Sequence, residues 1–159
     1  MDKLYVKCVL YAYPNVMSIK EQIDELMEKR AFSSMMDVSP AEQQCVKMVG
    51  YIFQKEMLDE LKEMTDKVLE KFTAHQLDCF DYKYFKIKPR EYYQGFDAKS
   101  RAYFREQNKL VELFSARAEK VGLTESWFVE NCLQLDFFKE LLKRVKERED
   151  SVKKEKNQP

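Results

Sequence analysis

The chain has 159 residues, of which 45% are hydrophobic and 35% are charged. This composition excludes a disordered protein, and the length suits one domain with a buried core. Only 3 Gly and 4 Pro occur, so we expect long helices with few tight turns, in an all-α helical bundle.

The charges balance over the whole chain but not along it. There are 28 basic and 28 acidic residues, so the overall charge predicts no polyanion binding. Residues 1–82 hold 10 basic against 15 acidic side chains, residues 83–109 hold 8 against 3, and residues 110–159 hold 10 against 10. A positive excess of five therefore lies in 83–109, which is where a polyanion would bind.

The cysteine spacing and the N-terminal segment indicate the cellular compartment of the protein. Cys8, Cys45, Cys79 and Cys132 are widely spread and form no C-x-x-C pair, which suits a reducing environment, so we expect a cytoplasmic protein. The apolar start, MDKLYVKCVLYAYP, is short and contains Lys7. It predicts neither a signal peptide nor a membrane span.

The first two predicted helices are separated by a proline. A helix over 3–13 should end at Pro14, which cannot continue it. The segment SIKEQIDELMEK, 18–29, starts with Ser18 and has Glu21 three residues later, the spacing of a capping box. We therefore expect the second helix to begin at Ser18.

The third predicted helix is the longest. Ser39 and Glu42 form another capping box with Pro40 at the first helical position, and apolar residues recur at threes and fours to about Phe72. Uninterrupted, it would span about 50 Å. We expect it to line the bundle core, with a dimer seam as the alternative.

A second series of helices is predicted after residue 72. Thr73 and Gln76 make a third capping box, and Asp97 is expected to cap a helix over 98–121 that closes at Gly122. The segments TESWFVENCL and LDFFKELLKRVKERE predict two more helices, which could join at Leu133–Leu135. The tail, 151–159, lacks apolar anchors and should fray.

Chemistry-bearing motifs are scarce. His75 and Cys79 have the spacing of two metal ligands on one helix, but no second pair lies nearby in the sequence, so we interpret His75 as a surface or capping residue and predict no metal. No glycine-rich phosphate loop or nucleophile elbow occurs. We predict a protein that is not an enzyme and has no cofactor.

Three basic residues within 83–109 stand one helical turn apart. Arg101, Arg105 and Lys109 would repel one another on a helix by about 0.2–0.5 kcal/mol per pair. At about 100° per residue, they and Asn108 lie opposite the apolar stripe that contains Leu110. A helix that is basic at its start and anchored in a core further on suits insertion into a DNA major groove.

An ordinary solvated helix face is the alternative. Glu106 and Glu112 lie close to the basic residues in sequence and could neutralise them.

Arg and Asn would contact guanine and adenine if DNA is bound, whereas Lys mostly contacts phosphate.

The stretch CFDYKYFKIKPREYYQGFDAKSRAYFR resembles the helix-turn-helix of sigma factor region four and of the phage-type ArpU regulators. A Tyr-Phe pair at 84–85 matches the end of the first helix of that motif, and 89–94 matches its short second helix. Ser100 matches the residue that opens the recognition helix, Phe104 its apolar anchor and Arg105 the basic residue that follows.

The resemblance implies a DNA-binding transcriptional regulator whose recognition helix spans 98–121. Its parts would be an acidic helical portion (1–72), a helix-turn-helix-like unit (73–122), C-terminal helices on the same domain (123–150) and the tail (151–159). The residues expected to contact double-stranded DNA are Lys86, Lys88, Arg90, Lys99, Ser100, Arg101, Arg105, Asn108 and Lys109.

Protein partners are the second hypothesis. RNA polymerase or another protein could bind the acidic N-terminal helices, and a homodimer is left open. A helical interaction module without DNA binding would use the acidic first half and the aromatic stretch ESWFVENCLQLDFF, because exposed aromatic residues often anchor interfaces.

Overall fold

The computed structural model describes residues 1–36 and 40–158, with side chains for 1–32 and 40–158, and contains no strand in that part of the chain. The all-α expectation is therefore confirmed. The helices are α1 (Lys3–Ala12), α2 (Val16–Met36), α3 (Ala41–Leu69), α4 (Ala74–Phe80), α5 (Arg101–Lys120), α6 (Glu125–Trp127) and α7 (Asp136–Lys156).

Irregular turns extend or connect these helices. Single π-helical turns, Asp81–Phe85 and Phe128–Cys132, continue α4 and α6. Short 3₁₀ turns occur at Tyr13–Asn15 and Arg90–Tyr93.

The junction of α1 and α2 differs from the prediction. α1 ends at Ala12 and the 3₁₀ turn follows at Pro14, but the chain is helical again from Val16. Proline is tolerated in the first turn of a helix because the N–H that it lacks would have no partner there. Ser18 therefore lies inside α2, and the expected capping box at Ser18 and Glu21 is wrong.

α3 is one long helix, as predicted, and it ends at Leu69 rather than at about Phe72. It begins at Ala41 with Pro40 flanking it, and the predicted cap Ser39 lies outside the described residues. Its buried residues start at Met57, and in its first half Tyr51 is only partly buried against the core. We call residues 41–56 of α3 and residues 24–36 of α2 together the arm.

α4 begins with the predicted capping box. The Thr73 hydroxyl accepts the backbone N–H of Gln76 at 3.2 Å, and the Gln76 side chain accepts the backbone N–H of Thr73 at 2.9 Å. Two of the N–H groups that a helix start leaves unpaired are thereby satisfied.

One hydrophobic core holds residues from both ends of the chain, from Val6 to Val145. Aromatic rings fill its centre; the ring centroids of Phe72 and Phe80 are 5.1 Å apart. Phe128 and Phe138 are fully buried, whereas Phe137 is exposed. The aromatic stretch suggested as a partner surface therefore belongs mainly to the core.

The last two helices are separate, and the tail is helical. α6 and its π turn end at Cys132, and α7 begins at Asp136 after an intervening turn. The expectation that 151–159 frays is wrong up to Lys156, where α7 ends. Lys and Glu favour helix, and basic residues in the last turn complement the helix dipole, so no apolar anchor is needed.

Candidate nucleic-acid interface

The predicted recognition helix, α5, begins at its serine cap. Ser100 Oγ accepts the backbone N–H of Tyr103 at 3.1 Å, so the helical residues start at Arg101. The expected cap at Asp97 and the start at 98 are wrong, because the Asp97 carboxylate accepts the backbone N–H of Lys99 in the preceding turn. Ser100 is therefore the N-cap of α5.

The two faces of α5 are separated as predicted. The helix ends at Lys120, and Gly122 follows with a φ of 91°, the left-handed conformation that glycine adopts without strain. One face is buried in the core and consists of Gln107, Leu110, Val111, Phe114 and Ala118. The basic helix face, on the other side, consists of exposed Arg101, Arg105, Asn108 and Lys109.

The acidic residues of α5 have partners elsewhere. Glu106 Oε1 lies 2.9 Å from His75 Nε2, and Glu112 Oε1 lies 2.9 Å from Lys3 Nζ. Within residues 1–36 and 40–158, none of the three cations of the basic helix face forms an ion pair. The alternative, in which Glu106 and Glu112 neutralise the basic helix face, is therefore not observed in the described residues.

The segment before α5 differs from the expected helix-turn-helix. Residues 89–94, predicted as a short second helix, contain only the four-residue 3₁₀ turn Arg90–Tyr93. Phe104, expected to anchor the recognition helix, is 43% exposed. Tyr103 is the half-buried residue instead, and its ring meets that of Tyr82 edge-on.

A buried carboxylate organises this segment. Asp81 accepts the backbone N–H groups of Ile87 at 3.0 Å and Lys88 at 3.3 Å, and it also accepts the Tyr93 hydroxyl. Burial and the bond to Asp81 raise the pKa of Tyr93. The sequence offered no signal for this role, since the donors follow Asp81 by six to twelve residues.

Four of the basic side chains before α5 line a cleft of about 630 Å³. The chain reverses at Lys86, whose φ of 52° is uncommon for a residue with a side chain. Burial, together with the nearby charge of Lys7, lowers the pKa of Lys83. The tyrosine cleft, as we call it, is lined by Lys83, Lys86, Lys88, Arg90, Tyr11, Tyr82, Tyr93, Tyr103, Asp81 and Pro89.

Lys88 is the predicted site residue with the most internal contacts. Its Nζ lies 3.0 Å from Asp78 Oδ1 and 4.1 Å from the ring centroid of Tyr92. The hydrogen bond to Asp78 raises the pKa of Lys88. Its charge is therefore partly compensated within the protein, unlike that of Lys86 or Arg90 in the described part of the chain.

Most of the predicted residues fall into three groups in space. Lys86, Lys88 and Arg90 lie in the tyrosine cleft, which α5 borders through Tyr103. Arg105 and Lys109 border a different groove of about 560 Å³, between α4 and α5. Lys99 precedes α5 and Arg101 is its first residue, and both are exposed.

The end of α7 adds cations that sequence reasoning missed. Lys156 Nζ lies 5.5 Å from the ring centroid of Phe104, so the last turn of α7 lies beside the first turns of α5. That turn also carries Lys153 and Lys154, and all three side chains are exposed. A frayed tail, as the sequence predicted, would not hold these charges beside α5.

Comparison with known proteins finds no relative of this chain. No protein-family model matches the chain, and no curated protein or solved structure matches it. Among the helices of the described residues, none combines the length and the apolar content that crossing a bilayer requires. The function is therefore inferred from the geometry of the basic residues.

Proposed function

We propose that the chain binds double-stranded DNA through the basic helix face and acts as a transcriptional regulator of the helix-turn-helix type that its sequence resembles. One observation carries this proposal: Arg101, Arg105 and Lys109 are exposed, one turn apart and unpaired within the described residues. Their mutual repulsion, about 0.2–0.5 kcal/mol per pair, calls for an anionic partner from outside the chain.

The dimensions of α5 suit a duplex. An α-helix with its side chains is about 10–12 Å across. The DNA major groove is about 12 Å wide, so it admits a helix of this diameter. The opposite face of α5 is packed in the core, so the helix would dock as a rigid element.

Each side chain has a role in this proposal. Arg101 and Arg105 can each make two hydrogen bonds to a guanine, and Asn108 can do so with adenine. Lys109 would contact phosphate, as would the exposed cations near the start of α5. Those cations are Lys86, Arg90 and Lys99. Lys88 contributes less to DNA binding because it forms an ion pair with Asp78. Ser100 acts as the helix cap.

Titrating a fluorescent random duplex with the protein at increasing salt tests the proposal. The wild-type protein should bind at low salt, and its affinity should fall steeply as counterions compete for the phosphates. The double variant Arg101→Ala, Arg105→Ala should bind more weakly, and the slope of log affinity against log salt should decrease in magnitude by about 0.9 for each phosphate that it no longer neutralises.

A matched control separates the specific face from total charge. Lys139→Ala with Lys143→Ala removes the same two charges at the same spacing from exposed positions on α7. This variant should bind nearly as tightly as the wild type. Absence of duplex binding at low salt, or equal losses in both double variants, would refute the proposal.

A second function, homodimerisation through the arm, is supported by a different observation. The exposed fractions of Val46, Val49 and Phe53 are 71%, 48% and 64%, and their i, i+3, i+7 spacing is that of a coiled-coil seam. The segment 41–56 carries two lysines and two glutamates, so a second copy would not be repelled. Dimers suit DNA sites with two half-sites.

The oligomeric state tests this second function. Sedimentation equilibrium should show a dimer that Val46→Asp with Phe53→Asp converts to a monomer. Val129→Asp, which changes an exposed apolar residue outside the arm, should leave the dimer intact. A wild-type monomer at the highest soluble concentration would exclude the arm as a dimer seam.

A further inference from the structure

Three side chains with metal-binding atoms meet between α4 and α5. The ligand atoms of His75, Cys79 and Glu106 all lie within 4.8 Å of one another. His75 Nε2 is 2.9 Å from Glu106 Oε1 and 3.8 Å from Cys79 Sγ. The sequence had supplied only the His75 and Cys79 pair, and the packing of α5 against α4 adds the third ligand.

We infer that His75, Cys79 and Glu106 form a three-ligand site for zinc(II) or another divalent metal of similar size and softness. In a tetrahedral zinc site with bonds of about 2.0–2.3 Å, neighbouring ligand atoms are about 3.4–3.6 Å apart. The two distances at His75 Nε2 bracket that range. The third pair, Cys79 Sγ and the Glu106 carboxylate, lies within 4.8 Å. A common ion therefore requires shifts of a few tenths of an ångström at His75 and of up to about 1 Å between Cys79 and Glu106.

The donor set indicates which metal would bind. A thiolate, an imidazole and a carboxylate together suit zinc or cobalt, whereas magnesium and calcium prefer sites made only of oxygen atoms. Three protein ligands leave a fourth position for water or an added ligand. The side chains of His75 and Glu106 are 66% and 41% exposed, so an ion held between them can be reached from solvent.

The surroundings hold the ligands in place. Gln107 donates its side-chain N–H to the carbonyl of Cys79 at 2.9 Å, and the ring of Phe96 stacks on His75 with centroids 6.1 Å apart. Such contacts around a metal site orient the residues that bind the ion. Both α4 and α5 are anchored in the core, so the site is built on rigid elements.

The buried thiol explains why binding would couple to pH. Cys79 is only 1% exposed, and a metal binds the thiolate rather than the thiol. On binding, the sulfur–metal bond forms and the thiol proton goes to solvent, so each metal bound should release one proton near neutral pH.

Cobalt(II) is the probe for the experiment. Adding cobalt to the reduced, metal-free full-length chain should produce a thiolate-to-cobalt absorption band that saturates at one equivalent and disappears when zinc is added. A weakly buffered titration should show release of one proton per metal.

Variants locate the site and separate it from other thiols. His75→Gln and Glu106→Gln change exposed or half-exposed side chains, so they should fold, and each should weaken cobalt binding at least tenfold. Cys79→Ser should abolish the absorption band. Cys45→Ser removes the exposed thiol and should change nothing.

Two outcomes would overturn the inference. One is the absence of a thiolate band in the wild-type chain with excess cobalt, which would leave the three side chains as a hydrogen-bonded cluster. The other is a band that persists in His75→Gln and Glu106→Gln but is lost in Cys45→Ser. Neither result bears on DNA binding, because the readout is the metal itself.

Discussion

Gln107 of α5 donates its side-chain N–H to the main-chain carbonyl of Cys79 in α4, at 2.9 Å and away from solvent. Helix carbonyls are normally occupied by their own helix, so this bond is an additional tie between the two helices. Together with the apolar residues of α5 that are buried in the core, it holds α5 in the rotation that turns the basic helix face outward. A glutamine that is only 3% exposed is therefore a structural residue rather than a candidate for base contact.

Gln107→Ala should lower the free energy of unfolding by about 1–3 kcal/mol, because a buried hydrogen bond is removed and a small space is left. Urea denaturation followed by circular dichroism measures the change. The neighbouring variant Asn108→Ala, at an exposed position, should stay within about 0.5 kcal/mol of the wild type. Equal effects in the two variants would contradict the role of Gln107.

The start of α5 gives a second stability prediction. Ser100→Ala should cost about 1 kcal/mol, since the backbone N–H of Tyr103 loses its partner. Asp97→Ala removes only a bond to the N–H of Lys99 in an exposed turn and should cost less than half as much. Urea midpoints of both variants would decide between the two caps, and a larger destabilisation in Asp97→Ala would contradict the assignment of the cap to Ser100.

The segment before α5 should loosen when Asp81 is changed. Asp81→Leu removes the acceptor of the N–H groups of Ile87 and Lys88, so hydrogen exchange at those two amides should become faster. Asp78→Leu breaks the ion pair with Lys88 but leaves these amides bonded, so it is the matched control. Unchanged exchange in Asp81→Leu would show that the segment holds its shape by other contacts.

Stability should fall in alkaline solution because buried thiols resist ionisation. Burial raises the pKa of Cys8 from 9.0 to about 12 in the folded chain. The unfolded chain therefore releases this proton first, and the stabilising effect, complete below pH 9, is lost as the pH rises toward 12. Urea midpoints between pH 7 and pH 11 should show a decline that Cys8→Ala makes shallower and Cys45→Ser does not change.

The helical tail should contribute to DNA binding if the proposed function is right. The last turn of α7 lies beside Phe104, so changing Lys153, Lys154 and Lys156 to Gln should weaken duplex binding without altering the fold. The slope of log affinity against log salt should decrease in magnitude by about 0.9 for each phosphate that the variant no longer neutralises. An unchanged slope would mean that the tail does not approach the duplex.

Local patterns in the sequence predicted most of the helices. The capping box of Thr73 and Gln76, the long helix α3 and the glycine end of α5 each depend on residues within a turn or two of one another. Such signals are complete in the sequence itself. The errors at Ser18 and Asp97 arose where two neighbouring residues could start a helix, and the adjoining turns decided between them.

By itself, the sequence determined that the chain is all-α, where its longest helix runs and which side of α5 is basic, because periodicity and capping are short-range properties. Only the tertiary structure decided which charges stay unpaired and which side chains share a site. Glu106 meets His75 across 31 residues of sequence, and the tail meets Phe104 from the far end of the chain. Helix packing creates such contacts, and no local pattern encodes which helices will pack.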